Sequence, residues 1–269
     1  MATIPFTGTA RPFTADAIAR AASAIGCDIA AVEAVIEVES KGGFLPDKRP
    51  KILFERHVFS RLTKGAHDAA HPDISSRQRG GYRGGAKEYD RLARACALNR
   101  AAAIQSASWG AFQIMGGNFA AAGFADPEKF CSAMCQAEDD QLAAFVSFVK
   151  ASRLDDELCR RDWVGFARGY NGPDYRANRY DEKLAAQYLV RSLPRPRTDP
   201  TREGPIARTL KMGDVGEDVA RLQAALGLRP DGDFGLATKA ALIGFQTKQK
   251  LAADGIAGSR TVAALQARR

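Results

Sequence analysis

Three glutamates occur in one short apolar segment, Ile29–Glu39, and helical geometry separates them. At about 100° per residue the apolar side chains form one arc, with Glu39 near its centre and with Glu33 and Glu37 pointing away from it. A carboxyl group in apolar surroundings at a helix C-terminus is kept neutral by desolvation and by the negative end of the helix dipole. A neutral carboxyl group near pH 7 is what a general acid requires. Glu39 is therefore predicted to donate a proton, with a simple ion pair to an arginine as the alternative.

The elements that must position Glu39 are predicted to be mostly helical. Ser40–Phe44 ends the helix and opens a loop, and Lys51–Phe59 is the most strand-like segment. Together these patterns indicate an α+β arrangement dominated by helices. The predicted helices are Thr14–Ile25, Asp28–Glu39, Glu88–Gln105, Pro127–Ala151 and Tyr180–Leu193.

Three blocks of sequence carry a resemblance to a known group of enzymes. They are Glu39-Ser40 before a glycine turn, Ser108–Gly116 and Ala167–Pro173. In order and spacing they resemble the signature blocks of goose-type lysozymes and soluble lytic transglycosylases. The resemblance is strongest to phage-type N-acetylmuramidase endolysins and extends over nearly all of residues 14 to 190. The further motifs that resemble this family are Ile52–Phe59, His71–Ser75, Gly80–Tyr82, Tyr175–Asn178 and Tyr180–Lys183.

The resemblance implies a lysozyme-like catalytic domain that hydrolyses the β-1,4 bond between N-acetylmuramic acid and N-acetylglucosamine in peptidoglycan. Glu39 would protonate the glycosidic oxygen. Amides and hydroxyls suit sugar N-acetyl and hydroxyl groups, and aromatic rings suit pyranose faces. The implied substrate-binding residues are Ser108, Gln113, Tyr170, Asn171 and Tyr175. For Ser108–Gly116, the start of a helix is an alternative interpretation.

Hydrolysis usually needs a second carboxylate, and Glu55 is the best candidate. Its alternative role is an ion pair, for example with Arg56. Without a second carboxylate the enzyme would be a lytic transglycosylase, which uses the muramic C6 hydroxyl in place of water. A non-catalytic wall-binding protein is disfavoured by the intact Glu39, Gln113 and Asn171.

A zinc amidase is the remaining alternative, because His67 and His71 are four residues apart. The sequence has no His-Glu-x-x-His motif, and the spacing of Cys131 and Cys135 is not completed by a second pair of ligands. We therefore expect no metal and no cofactor, and we interpret the five cysteines as buried thiols.

The C-terminal part is predicted to be a separate module. A proline-rich linker, residues 193–207, divides residues 1–192 from residues 208–269. In the second part Asp231–Leu242 aligns with Asp254–Leu265, each an Asp-Gly turn followed by a helix. The pattern resembles the common peptidoglycan-binding domain, which implies a three-helix fold with Asp231, Phe234 and Gln246 as candidate wall-binding residues.

Composition and charge suggest where the protein acts. A net charge of +8 favours an anionic partner such as nucleic acid, lipopolysaccharide or the wall, but the basic residues are scattered, so an ordinary solvated surface is the alternative. The resemblance implies peptidoglycan as the partner and no nucleic acid. No stretch is apolar enough for membrane insertion, and the start lacks the pattern of a signal peptide. We expect a monomer made in the host cytoplasm that reaches the wall after holin-type release.

Overall fold

The computed structural model describes residues 6–14, 16–40, 42–192, 206–228 and 230–267. These described residues are divided between two compact units, Met1–Arg11 with Ala21–Tyr188 and Pro12–Arg20 with Leu189–Arg269. Most of the predicted linker, residues 193–205, lies outside the described ranges.

Helices dominate the part of the chain before the linker, as the sequence predicted. Short 3₁₀ segments lie at Gly85–Lys87, Gly116–Asn118 and Pro173–Asn178. The α-helices are α1 (Ala17–Ile25), α2 (Ile29–Glu39), α3 (Arg56–Leu62), α4 (Glu88–Gln105), α5 (Pro127–Met134), α6 (Glu138–Ala151), α7 (Asp155–Arg160), α8 (Trp163–Asn171) and α9 (Tyr180–Ser192).

Helix α2 begins and ends where its sequence predicts. The Asp28 carboxylate accepts a hydrogen bond from the Ala31 backbone N–H at 2.8 Å, which caps the first turn. At the other end the Ser40 N–H donates to the Ile36 carbonyl at 2.7 Å, and Ser40 itself is extended. Glu39 is therefore the last helical residue before the chain turns into a loop.

The prediction of a single apolar arc on α2 is wrong. Glu33, expected to point away from the core, is only 7% exposed, whereas Ile29, expected within the arc, is 48% exposed. The middle of the helix is buried on nearly all sides, so its amphipathic pattern is weak. The position of Glu39 at the helix end, rather than its angle around the axis, distinguishes it from Glu33.

A small antiparallel sheet lies in the part of the chain before the linker. Its strands are β1 (Ile52–Phe54), β2 (Ala107–Trp109) and β3 (Ile114–Met115), in that spatial order. Leu53 pairs with Ser108, which also pairs with Met115. The Ser108–Gly116 block is thus a hairpin rather than a helix start.

The predicted strand Lys51–Phe59 is correct only as far as Phe54, and α3 follows at once. Val58 and Phe59 are neighbours in the chain, and both are buried. Neighbouring side chains on a helix are only about 100° apart, so α3 can bury both, while a strand would point them to opposite faces. Glu55 stands at the junction.

The predicted helix Pro127–Ala151 is interrupted between α5 and α6. There the N-terminal segment forms a bridge between Arg11 and Ala137. The Arg11 N–H donates to the Gln136 carbonyl at 2.9 Å, and the Glu138 N–H donates to the Arg11 carbonyl at 2.8 Å. Because these backbone groups bond to a distant segment, they are withdrawn from the helical ladder.

The C-terminal module contains α10 (Glu217–Ala225), α11 (Leu236–Lys248) and α12 (Ser259–Gln266), the three helices that were predicted. Its core is apolar and includes Leu222 and Leu242. The other buried members are Leu210, Val219, Phe234, Phe245, Ala257 and Leu265.

Candidate active site

Glu39 lies half-buried at the end of α2, and its surroundings favour the neutral carboxyl. Burial raises its pKa, and this outweighs the opposing effects of a hydrogen bond from Asn171 and the positive charge of Lys183. The Asn171 Nδ2 donates to Glu39 Oε1 at 3.0 Å. Burial and the nearby Glu39 charge also raise the pKa values of Tyr170 and Tyr180. The arrangement suits a group that holds a proton near neutral pH and can release it.

Asn171 occupies the last position of α8, a helix the sequence pattern did not predict. The next residue, Gly172, has a φ of 83°, which glycine adopts without strain, and this ends the helix. The Asn171 Oδ1 is buried and has no hydrogen-bond partner among the described residues. The amide thus binds Glu39 through one atom and keeps a free acceptor on the other.

Tyr170 has a packing role beside Glu39. Its hydroxyl donates to the Phe112 carbonyl at 2.8 Å. Its ring stacks on Phe166 at 5.5 Å between centroids and meets Phe145 and Phe148 edge-on. These contacts fix the end of α8 against the β2–β3 turn, so Tyr170 holds the neighbouring Asn171 in place.

Gln113 and Ser108 are joined within the β2–β3 hairpin. Ser108 Oγ donates to Gln113 Oε1 at 2.8 Å, and Gln113 Nε2 donates to the Gly110 carbonyl at 2.8 Å and the Lys51 carbonyl at 3.3 Å. Gln113 has a φ of 48°, a left-handed conformation that costs free energy in a residue other than glycine. The hydrogen bonds hold this conformation, with Gln113 exposed and Ser108 buried.

A buried glutamine that the sequence analysis did not single out holds the β2–β3 turn in place. Gln141 on α6 accepts a hydrogen bond from the Ala111 N–H at 2.7 Å and donates to the Met134 carbonyl at 2.8 Å. A Cβ added at Gly110 would lie 2.6 Å from the Gln141 side chain, and one at Gly43 would lie 2.1 Å from it. Gln141 thus packs directly against both the loop that follows Glu39 and the hairpin turn.

Glu55 is the second carboxylate near this region, at the junction of β1 and α3. The Tyr82 hydroxyl lies 3.0 and 2.9 Å from its two oxygens and donates to them, while His57 Nδ1 lies 3.1 Å from Oε2. Arg56, its predicted alternative partner, instead donates to the carbonyl groups of Pro72, Gln78 and Arg79. Sequence analysis assigned no role to Tyr82 or to His57 beside Glu55, because neither contact follows from local spacing.

A groove of about 550 Å³ lies beside the two carboxyl-bearing elements, with one of the carboxyl groups, Glu55, in its wall. Glu55 lines it directly, and so does Asn171, the hydrogen-bond partner of Glu39. Its other lining residues are His57, Val58, Arg61, Leu62, Arg79, Gln105, Met115, Gly117 and Asn118. A volume of this size accommodates a ligand as large as an oligosaccharide fragment.

Tyr175, the remaining predicted substrate-binding residue, is only 3% exposed. Its hydroxyl oxygen accepts a hydrogen bond from Arg176 Nε at 3.1 Å. In this structure Tyr175 contributes to packing, and the structure does not bring it to the groove.

The three candidate wall-binding residues of the C-terminal module take part in its internal structure. Phe234 belongs to the core. Gln246 Nε2 donates to Asp254 Oδ1 at 2.9 Å and Thr261 Oγ1 at 3.2 Å, and in the other repeat Gln223 Nε2 donates to Asp231 Oδ1 at 2.6 Å. Asp231 and Gln246 are therefore occupied in turns within the module.

The two repeats contain the same set of glutamine hydrogen bonds at the same spacing. Gln223 Nε2 also donates to Thr238 Oγ1 at 2.9 Å, and its Oε1 accepts from the Gly232 N–H at 2.8 Å. In the second repeat Gln246 Oε1 accepts from the Gly255 N–H at 2.9 Å. Each buried glutamine thus closes an Asp-Gly turn, a device that the repeated glycines and threonines of the sequence suggested only in part.

The histidines and cysteines form no metal centre in the part of the chain that the structure describes, where no group of three or more possible ligands comes together. His67 stacks on Phe59 at 5.9 Å between ring centroids. Cys131 and Cys135 are buried as expected, but Cys27, Cys96 and Cys159 are only partly buried. Among the described residues, no helix is both long enough and apolar enough to span a membrane.

The fold and the site together define a lysozyme-like enzyme, and comparisons with known proteins identify its family. The N-acetylmuramidase family model matches residues 28–190, and a peptidoglycan binding domain model matches residues 215–265. The chain belongs to the N-acetylmuramidase family and is a glycoside hydrolase of the lysozyme type.

One solved structure shows this relationship in three dimensions. The endolysin of the Burkholderia phage AP3, known from a crystal structure, is 45% identical in sequence to this chain. The two structures superpose with a TM-score of 0.65. The match covers 68% of this chain and 72% of that one. The comparison with curated proteins gave no match. The predicted resemblance, the fold class and the enzyme class are confirmed.

Proposed function

We propose that this protein is an endolysin that hydrolyses the β-1,4 bond between N-acetylmuramic acid and N-acetylglucosamine, with Glu39 as the general acid. The observation that carries the proposal is the half-buried Glu39, whose pKa is raised and which is held by Asn171 at the edge of the groove. In the neutral form it protonates the leaving oxygen and so makes the sugar a better leaving group.

Glu55 supplies the second carboxylate in this proposal. It lines the same groove, and its hydrogen bond from Tyr82 fixes its orientation. A carboxylate there activates water or stabilises the positive charge that develops on the sugar ring. The proposed saccharide cleft is completed by Gln113 and Asn171, whose side chains have accessible surface. Ser108 contributes indirectly, because it holds Gln113.

We further propose that the chain acts as a monomer on the wall after holin-type release from the host cytoplasm, with residues 1–192 as catalytic domain, 193–207 as linker and 208–269 as wall-binding domain. Two findings support this view: the similar phage protein is named an endolysin, and residues of this chain match a peptidoglycan binding domain.

Substitution of Glu39 by glutamine tests the catalytic proposal. Glu39→Gln keeps an acceptor for the Asn171 amide but has no acidic proton to transfer, so lysis of purified walls should fall at least about 10²-fold. Because a buried carboxyl with a raised pKa destabilises the fold once it ionises, the thermal midpoint of Glu39→Gln at pH 7 should be no lower than that of the wild type.

Glu37→Gln, two residues earlier on the same helix, is the matched control and should retain activity. Wall lysis by Glu39→Gln within a few-fold of wild type would remove Glu39 from the mechanism. The products distinguish the two reactions: reducing ends indicate hydrolysis, and 1,6-anhydromuramic ends indicate a lytic transglycosylase.

A further inference from the structure

A second cavity, of about 460 Å³, adjoins the groove and shares His57 and Arg61 with it. Both cavities lie within the catalytic region, and the two shared residues are one helical turn apart on α3. The remaining lining residues of this cavity are Ser60, Lys64, Gly65 and Arg77. Nothing in the proposed cleavage chemistry uses them.

The cavity is strongly cationic. Arg61, Lys64 and Arg77 all line it and are exposed, and none of them forms an ion pair with a carboxylate among the described residues. Arg77 lies near enough to Asp68 to help lower its pKa, but the Asp68 oxygens already accept hydrogen bonds from Ser60 and Ser75. The guanidinium and ammonium groups therefore remain available to an anion.

The backbone around the cavity is held in place by specific bonds. Asp68 accepts from Ser60 Oγ at 2.9 Å and from Ser75 Oγ at 2.6 Å, which ties α3 to the segment that leads to Arg77. Lys64 has a φ of 54°, and the Gly65 N–H donates to the Ser60 carbonyl at 2.7 Å. Both ends of the cationic wall are thus anchored to α3.

We propose that this cavity binds a carboxylate of the peptide stem carried by the muramic acid in the groove. The proposal rests on the proposed function, since it assumes that a peptidoglycan strand occupies the groove. The alternating N-acetylated sugars are uncharged, and the lactyl group of muramic acid joins them to a peptide rich in carboxylates. A cationic cavity that shares two lining residues with the groove is placed to receive that peptide. The enzyme therefore prefers strands that carry peptide stems to strands without them.

The test compares steady-state kinetics on two soluble glycan preparations. One carries intact peptide stems, and the other has been treated with an amidase, which removes the peptides and leaves the lactyl carboxylate. The variant is the double substitution Lys64→Gln and Arg77→Gln, because these residues line the second cavity and not the groove. The matched control, Lys87→Gln with Arg153→Gln, removes the same charge from two exposed residues that line neither cavity.

The double variant should raise KM on stem-bearing strands roughly tenfold, with kcat within about twofold of wild type and KM on amidase-treated strands unchanged. The difference should shrink as salt is added. An unchanged KM on stem-bearing strands, or an equal rise in the control, would overturn the proposal. An equal rise on amidase-treated strands would assign the cavity to the lactyl carboxylate instead and overturn the stem assignment.

Failure of the proposed function has a different signature. In that case the wild-type protein would cleave neither preparation, whereas failure of the stem proposal leaves wild-type cleavage intact and removes only the effect of the double variant.

Discussion

At the scale of single residues, Glu39 is governed by a balance between burial and two stabilising partners. Burial favours the protonated form, while the Asn171 amide and the Lys183 ammonium favour the ionised form. After proton donation the carboxylate is still held by Asn171, so the same contact serves both states. A general acid needs this balance, since its pKa must lie near the pH at which the enzyme works.

Lys183 offers a way to shift that balance without touching the groove. Lys183→Gln removes a positive charge that lowers the pKa of Glu39, so the pKa should rise further. The rate falls as pH rises through this pKa, because only the neutral form donates. We therefore expect the alkaline limb of kcat/KM to move to higher pH, with activity on that limb raised roughly twofold.

The pH profile of wall lysis at low salt measures this shift, and Lys87→Gln serves as the control for an exposed lysine. A movement of the alkaline limb to lower pH would contradict the assignment of that limb to Glu39.

At the scale of elements, the sequence predicted those parts of the fold that depend on local rules. The Asp28 cap, the end of α2 at Glu39 and the two ends of α4 follow from short-range spacing. The kink inside α4 at Asn99, whose φ is -156°, was not predicted. The break between α5 and α6 could not be predicted, because it depends on Arg11, 126 residues before Ala137 in the chain. The partial strand at Lys51–Phe59 has a similar cause, since β1 exists only where β2 pairs with it.

The same distinction applies to the candidate site. Glu39 was predicted from its place at the end of a helix and from its motif, and Glu55 from its chemistry, because each argument used nearby residues. The Tyr82 hydroxyl on Glu55 and the Gln141 amide under the hairpin connect positions far apart in sequence. Contacts of this kind carry no local periodicity, so residue spacing alone does not reveal them.

Gln141→Leu tests how far the hairpin depends on one buried amide. Leucine of similar size would leave the Ala111 N–H and the Met134 carbonyl without their partner, in a site where Gln141 is 1% exposed. We expect the free energy of unfolding to fall by roughly 2–4 kcal/mol, as two buried polar groups lose their hydrogen bonds. Urea denaturation of the full chain measures this loss.

Gln187→Leu on α9 is the matched control, since Gln187 is only half-buried and Leu184 is the buried residue of that helix. Equal destabilisation by the two substitutions would show that the Gln141 amide contributes nothing beyond its volume.

At the scale of the whole molecule, the two matched families correspond to different kinds of structure. The groove of the catalytic region is formed by residues far apart in sequence. The C-terminal module instead repeats one Asp-Gly turn that is closed by a buried glutamine. Gln223 and Gln246 each close an Asp-Gly turn eight residues further on. Since the Asp231, Phe234 and Gln246 side chains serve this internal structure, wall contacts are expected from other, exposed side chains of the module.

Removal of the module tests whether the two parts work independently. A chain that ends at Ser192 retains Glu39, Glu55, Gln113 and Asn171, so it should fold and cleave soluble glycan strands at close to the full-length rate. It should lose retention on sedimented walls and part of its activity on intact sacculi, because tethered binding raises the local concentration of enzyme at the wall.

The contrast between the two substrates is the decisive measurement, and Glu39→Gln in the full chain is its complement, with binding retained and cleavage lost. The assignment of Pro12–Arg20 to the same compact unit as Leu189–Arg269 makes the outcome informative for the predicted boundary at residue 192. If the truncated protein were folded by circular dichroism but lost activity equally on soluble strands and sacculi, the module would be needed for catalysis itself. Retained activity on soluble strands with reduced activity on sacculi would assign to the module the single task of holding the enzyme on its substrate.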